Sequence, residues 1–164
     1  MKKRILPLIL VGLIAGCSSF RINEVYPGKV YRSHQPPRSQ LEELSSLKLK
    51  SIVYIHERKP EEYETEYAER NQINFRHIGI AGYSPDVKKF KEIINYATKE
   101  ENQPVLIHCR GGRHRTGMIA GVLEKIAGKD MKKIIKEYRG YSGFFFWQWP
   151  RKENEEFIRE FEIK

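Results

Sequence analysis

The residues most able to do chemistry lie in the stretch LIHCRGGRHRTG, residues 106–117, where a thiol, Cys109, stands six positions before a guanidinium, Arg115. An apolar run precedes the thiol, and a helical pattern follows the guanidinium. A loop between a strand and a helix offers free backbone N–H groups and the positive end of the helix dipole. Gly111 and Gly112 let such a loop curl around an anion, and the same field favours a thiolate. The pattern therefore predicts that Cys109 attacks phosphorus while Arg115 grips the oxyanion.

The arrangement His108-Cys109, five residues, Arg115-Thr116-Gly117 resembles the signature loop of the protein tyrosine phosphatase superfamily, in the small single-domain form of its dual-specificity branch. The stretch PGKVYRSHQP near the start also looks like small bacterial members. The resemblance implies that Cys109 is the nucleophile and Arg115 the phosphate clamp. It also implies that Thr116 assists breakdown of the thiophosphate, that His108 holds the loop by hydrogen bonds, and that no metal or other cofactor takes part. Independently, the five histidines show no metal-ligand spacing.

The proton donor for the leaving oxygen is less clear from the sequence. The family commonly carries an Asp on the loop after the third strand, but residues 80–83 hold no carboxylate. Asp86 is the nearest candidate, although an acid in the first turn of a helix is also ordinary capping chemistry. His114, inside the loop, is the rival, with a solvated polar turn as its alternative. Glu57 and Glu61 are weaker candidates that also suit a charged surface.

Two further arginines in the loop bear on the substrate. The offsets of Arg110 and Arg113 match two lysines that meet extra phosphates in inositide phosphatases of this superfamily. The alternative is general basicity in a chain with 30 Lys and Arg. Phosphotyrosine and inositol polyphosphates therefore both remain open as substrates of a phosphatase. A different hypothesis is a catalytically weak or dead module that binds phosphorylated ligands.

The N-terminus is predicted to direct export. Residues 1–16 begin with three cationic side chains and continue as an apolar run that is too short to span a bilayer. The sequence IAGC resembles the lipobox of bacterial lipoproteins, with Cys17 as the acylated residue; an ordinary secretory signal is the alternative. We expect residues 17–24 to be the lipidated Cys and a tether, and residues 25–164 to be the phosphatase domain. The two serines after the Cys favour the outer membrane, facing the periplasm.

The charge of the chain fits anionic substrates or an anionic membrane surface. The formal net charge is +9, and three of the cationic residues belong to the predicted signal. The basic residues are spread along the chain, and no nucleic-acid recognition motif is present. We therefore expect no nucleic-acid partner.

Alternating strands and helices must position the loop. This order predicts a single α/β domain with a mostly parallel sheet of four to five strands flanked by helices. Ligands of such sheets bind beyond the carboxyl ends of the strands, where residues 109–115 lie. The strands are predicted at residues 29–32, 51–56, 74–80 and 104–108, and the helices at 39–49, 60–71, from 84 onward, 113–127, 130–139 and 151–162.

Several expectations concern single side chains. Ser84 is expected to cap the helix that follows it. Ile126 is expected to face inward with the other apolar residues of its helix. Arg32 is expected to fix the first strand against the sheet, together with Ser33 and Gln35. The aromatic residues among 144–149 are expected mainly to pack in the core, with a pocket wall or a membrane contact as alternatives. Three residues are expected to form the inner face of the helix over 60–71: Tyr63, Tyr67 and Ala68.

Overall fold

The computed structural model describes residues 20–82, 84–142 and 152–162. One five-stranded sheet, in the order β1-β2-β5-β3-β4, is flanked by helices on both faces, which confirms the predicted fold class. The strands are β1 (Asn23–Tyr26), β2 (Val30–His34), β3 (Ser51–Ile55), β4 (Asn74–Ile78) and β5 (Val105–Cys109). The helices are α1 (Glu62–Arg70), α2 (Val87–Thr98), α3 (His114–Ile126), α4 (Met131–Ser142) and α5 (Lys152–Glu160), with 3-10 helices at Arg38–Leu47 and Glu100–Asn102.

Strand β5 lies at the centre of the sheet and is buried along its whole length. It runs parallel to β2 and β3, so that His34 pairs with Cys109 and Tyr54 pairs with His108. Helices cover both faces, which explains why its sequence, VLIHC, is almost continuously apolar. Cys109 is therefore placed at the carboxyl end of the central strand.

The two faces of the sheet bury two separate clusters. On one face, Val53 and Ile107 pack against helices α2 to α5. On the other face, Ile52 and Leu106 pack against α1 and the first 3-10 helix. The alternation of side chains along β3 and β5 divides these residues between the faces. Helix α3 thus approaches the end of β5 from one side, and α1 lies on the other.

The residues expected to form a tether include part of the fold. Asn23–Tyr26 forms strand β1, which pairs antiparallel with β2, and Phe20 is buried. The sequence NEVY carries too few apolar residues to predict a strand. Because β1 lies at the edge of the sheet, it is stabilised mainly by pairing with β2, which the sequence does not show. The predicted helix over 39–49 is a 3-10 helix at Arg38–Leu47 that buries Leu41 and Leu44.

Three side-chain expectations were wrong or incomplete. Helix α2 is capped by Asp86 and not by Ser84, because the Asp86 carboxylate accepts a hydrogen bond from the Lys89 backbone N–H at 3.1 Å. Ile126 is 43% exposed, since it is the last residue of α3 and lies beyond the packed part of the helix. On α1, Tyr67 and Ala68 are buried as expected and Tyr63 is half-buried, but Glu64 is buried as well.

The aromatic residues among 144–149 lie outside the described residues, as does the predicted signal segment. Among the residues that the structure describes, no helix has the length and apolar character needed to cross a bilayer.

Candidate active site

The loop between β5 and α3 brings the predicted thiol and guanidinium together. Cys109 ends β5 and is 3% exposed, and α3 begins at His114. Arg115 and Thr116 are buried in the first turn of α3. Arg113 occupies the N-cap position, and its side chain makes no capping hydrogen bond. Because the N-cap side chain does not cap this helix start, its backbone N–H groups and the helix dipole suit an anion bound above Cys109.

Gly112 lets the loop pack directly on the end of β2. Its φ is +63°, a conformation that residues with a side chain rarely adopt. A Cβ at this position would lie 2.5 Å from the His34 backbone nitrogen and 2.7 Å from the Ser33 carbonyl oxygen. Only glycine therefore fits here. Gly111 has no such restriction, since a Cβ there would meet no atom within 4 Å.

Arg32 and Gln35, at the end of β2, hold the loop backbone. The Arg32 Nη2 donates a hydrogen bond to the Gly112 carbonyl oxygen at 2.8 Å, and the guanidinium lies 4.0 Å from the centre of the Tyr141 ring. The Gln35 backbone N–H donates to the Arg110 carbonyl oxygen at 3.2 Å. The sequence predicted that these residues fix the strand, but it did not predict that they contact the loop. No local pattern signals contacts between residues so far apart in the chain.

His108 is a neutral imidazole beneath the loop. It is fully buried, and its ring centre lies 5.1 Å from that of Tyr54. Burial lowers the pKa of His108 to about 3, although a contact with the Cys109 backbone opposes the shift. The ring is therefore uncharged at neutral pH. Neither ring nitrogen makes a well-formed hydrogen bond among the described residues, so support of the loop by hydrogen bonds from His108 stays a prediction.

The two candidate acids lie in different places. The Asp86 carboxylate caps α2 and lies 3.7 Å from the Lys89 ammonium group. It therefore has the helix-capping role that the sequence offered as the alternative to an acid. His114 is the first residue of α3 and is half-buried in the loop itself. The assignment of a proton donor to either residue stays a prediction.

His56 is a residue near the site that sequence reasoning missed. It follows β3 at the same edge of the sheet, and its Nδ1 accepts a hydrogen bond from the Arg58 backbone N–H at 3.0 Å. Burial lowers the pKa of His56, and the positive charge of Arg115 contributes to the shift. This contact leaves the proton of the neutral ring on Nε2. Its position at the end of the buried strand SIVYI was the only signal in the sequence.

The rim of the loop is basic. Arg110 and Arg113 are exposed, whereas Arg115 is 7% exposed. The loop thus combines one buried guanidinium with two exposed ones. Within residues 20–82, 84–142 and 152–162, no three His, Cys, Asp or Glu side chains are grouped so that they could hold a metal ion.

Helices α4 and α5 support α3 just behind the loop. A Cβ on Gly117 would lie 3.0 Å from the Tyr138 ring, so the glycine allows α4 to pack closely. The Asn154 side chain on α5 donates to the Tyr138 hydroxyl at 3.0 Å, and both residues are buried. The first turns of α3, which carry Arg115 and Thr116, are therefore held by two neighbouring helices.

Comparisons with known proteins agree with this geometry. The model of the tyrosine phosphatase family matches residues 18–164. An inositol diphosphatase from Oryza sativa subsp. japonica, DSP2, is 34% identical over 119 residues, which is 69% of this chain and 58% of the relative. Another from Arabidopsis thaliana, DSP3, is 32% identical over 139 residues, which is 82% of this chain and 66% of the relative.

A solved structure shares the fold over most of its length. The core catalytic domain of the PP-IP phosphatase SIW14 from S. cerevisiae, solved with citrate, superposes with a TM-score of 0.77 at 25% identity. The alignment covers 86% of this chain and 85% of that domain. By contrast, this chain spans about three fifths of the length of the two plant relatives. The chain belongs to the tyrosine phosphatase family.

Proposed function

We propose that this chain is a cysteine-dependent phosphatase that works through a phosphocysteine. The Cys109 thiolate attacks phosphorus, the bond from phosphorus to the leaving oxygen breaks, and that oxygen leaves with the bonding electrons and takes up a proton. The Arg115 guanidinium and the backbone N–H groups of the loop stabilise the charge on the transferring oxygens. Water then attacks the phosphocysteine, which releases inorganic phosphate and restores the thiolate.

We further propose that the substrates are inositol phosphates that carry several phosphate groups, including diphosphates. The observation that carries this proposal is the pair of exposed arginines, Arg110 and Arg113, beside the buried Arg115. In this proposal, one phosphate of the inositol ring occupies the loop, and the exposed guanidiniums bind a neighbouring phosphate on the same ring. The names of the plant relatives, inositol diphosphatases, support the same class.

The state of Asp86 also favours a diphosphate. Its carboxylate is engaged in capping α2 and pairs with Lys89. When a diphosphate is cleaved, the departing oxygen belongs to a phosphate, which is a weak base and leaves without strong acid assistance. An alkoxide leaving group would need a proton in the transition state. A site whose candidate carboxylic acid is engaged in this way is therefore better matched to a diphosphate than to an alkyl phosphate.

The test is phosphate release by the full chain from a diphosphoinositol polyphosphate, inositol hexakisphosphate and a phosphotyrosine peptide. Cys109→Ser should abolish release from every substrate. Replacing both Arg110 and Arg113 by Gln should lower kcat/KM for the inositol compounds much more than for the peptide. The matched control replaces both Lys132 and Lys133, which are exposed on α4, by Gln. This variant removes the same amount of positive charge at a place outside the loop.

Two results would change the proposal. Equal losses of kcat/KM on all substrates, or faster turnover of the peptide by the wild type, would show that the two arginines contribute only general positive charge. Either result would indicate a protein phosphatase. Negligible turnover by both the wild type and Cys109→Ser, with phosphorylated ligands still bound, would indicate the binding module considered as the alternative.

We also propose that the chain is exported in a bacterial cell and anchored to the envelope by lipid on Cys17, most simply in the outer membrane facing the periplasm. The cationic start, the short apolar run and the IAGC sequence support this proposal. Growth with a labelled fatty acid should label the full chain, and Cys17→Ser should remove the label and release the protein from membranes. Equal labelling of both forms, or none of either, would refute the lipid anchor.

A further inference from the structure

A buried carboxyl group that the reaction does not use lies outside the loop. Glu64 lies on α1, on the face of the sheet opposite α3, and is 2% exposed. Both Glu64 carboxyl oxygens and the Gln35 amide nitrogen are fully buried, and none of the three has a hydrogen-bond partner among the residues that the structure describes. No basic side chain forms an ion pair with Glu64 among the residues that the structure describes. A buried acid without a counter-charge is unfavourable when ionised.

Contacts connect Glu64 to the catalytic loop through the segment that follows β2. The Gln35 side chain is near enough to Glu64 to lower the pKa of its carboxyl, although no well-formed hydrogen bond joins these two side chains. The Gln35 backbone N–H donates to the Arg110 carbonyl oxygen at 3.2 Å. One residue earlier on α1, the Tyr63 hydroxyl donates to the Pro36 carbonyl oxygen at 3.1 Å. The start of α1 thus holds residues 35 and 36, and residue 35 holds the loop.

We propose that Glu64 is a positioning residue for the Cys109 loop and acts through Gln35. A neutral Glu64 carboxyl keeps the contact dry and the Gln35–Arg110 hydrogen bond in place. An ionised carboxylate at this position favours arrangements that admit water to Glu64, and these release Gln35 and the loop. Only the kinetic consequence of this inference rests on the proposed phosphatase activity.

The titration of Glu64 sets the pH range over which it would release the loop. Burial raises the pKa of Glu64 to about 8; the Gln35 side chain opposes the shift, and the negative charge of Glu61 adds to it. The group is therefore neutral at pH 7 and ionises just above it. The titratable groups that interact with it are Tyr54 on β3, and Glu61 and Tyr63 at the start of α1.

The direct test is hydrogen exchange of the Gln35 backbone amide, measured by NMR in the full chain. About a tenth of Glu64 stays protonated at pH 9, so protection of this amide in the wild type should fall about tenfold between pH 7 and pH 9, after correction for the intrinsic rate. Glu64→Gln keeps the size of the side chain and does not titrate, so its protection should stay constant. Glu66→Gln, an exposed position on the same helix, is the matched control and should behave as the wild type.

The kinetic test uses an aryl phosphate, whose leaving group needs no acid. The kcat/KM of the wild type should fall about tenfold over the same interval, and that of Glu64→Gln should not. The same loss of protection in the wild type and in Glu64→Gln, or no loss in either, would overturn the proposal. Loss of protection only in the wild type, in a chain that releases no phosphate, would support the positioning role and refute the phosphatase activity.

Discussion

Replacing Glu64 by Gln should change how the stability of the fold depends on pH. The pKa of this carboxyl rises from an ordinary value of 4.5 to about 8 in the folded chain. Between these two values the folded state binds more protons than the unfolded state, so the wild type loses stability as the pH rises through this window, and the loss ends above about pH 8. One pKa unit corresponds to about 1.4 kcal/mol, so the whole window, from 4.5 to about 8, corresponds to roughly 5 kcal/mol at most.

The assay is urea denaturation of the wild type and Glu64→Gln from about pH 5 to about pH 9. In the difference between the free energies of unfolding of the two proteins, the contributions of all other titrating groups cancel. This difference should grow in favour of Glu64→Gln by at most about 1.4 kcal/mol per pH unit up to about pH 8 and then level off. Glu66→Gln should show a constant difference from the wild type. A constant difference for Glu64→Gln would refute the burial of a neutral carboxyl at this position.

Three further predictions follow from the loop and its support. Gly112→Ala should destabilise the fold by at least ~2 kcal/mol and abolish turnover, because the positive φ and the contact with His34 exclude a Cβ, whereas Gly140→Ala on α4, where a Cβ meets nothing, should do neither; equal thermal unfolding and activity of the two variants would contradict this. Arg32→Met should lower kcat/KM by about tenfold to a hundredfold through loss of its hydrogen bond to the loop, and unchanged kinetics would show that the bond is dispensable. The pKa of His108 falls to about 3 in the fold, so the wild type should lose stability as the pH drops from about 6.5 to about 3, and His108→Asn should lose less; parallel acid unfolding curves would exclude the buried neutral ring.

The elements nearest the loop could be predicted because their signals are local. The continuous apolar run before Cys109 indicated a central strand, and the apolar spacing after Arg113 indicated α3. The structure confirms both elements. Strand β1 gave no such signal, since its four residues become a strand only by pairing with β2. The cap of α2 was misplaced by two residues because Ser84 and Asp86 are both good capping residues, and the choice depends on backbone geometry.

The site was predictable where its residues are contiguous. The stretch from His108 to Thr116 runs from the end of β5 through a short loop into the first turn of α3, so one strand and one helix hold it together. The supports were not predictable, since they come from distant parts of the chain. Arg32 contacts a glycine 80 residues away, and Glu64 stands in a polar helix whose charged residues otherwise face solvent. A sequence pattern shows which face of an element is apolar, but it does not show that an acid is buried there.

The central claim is that Cys109 becomes covalently phosphorylated during turnover. The most direct measurement is mass spectrometry of the full chain after acid quench in the first turnover with an aryl phosphate. We expect a phosphate group on the peptide that contains Cys109, formed together with a stoichiometric burst of the leaving group and lost on further incubation. No adduct and no burst in an enzyme that still releases phosphate, or release that persists in Cys109→Ser, would contradict it.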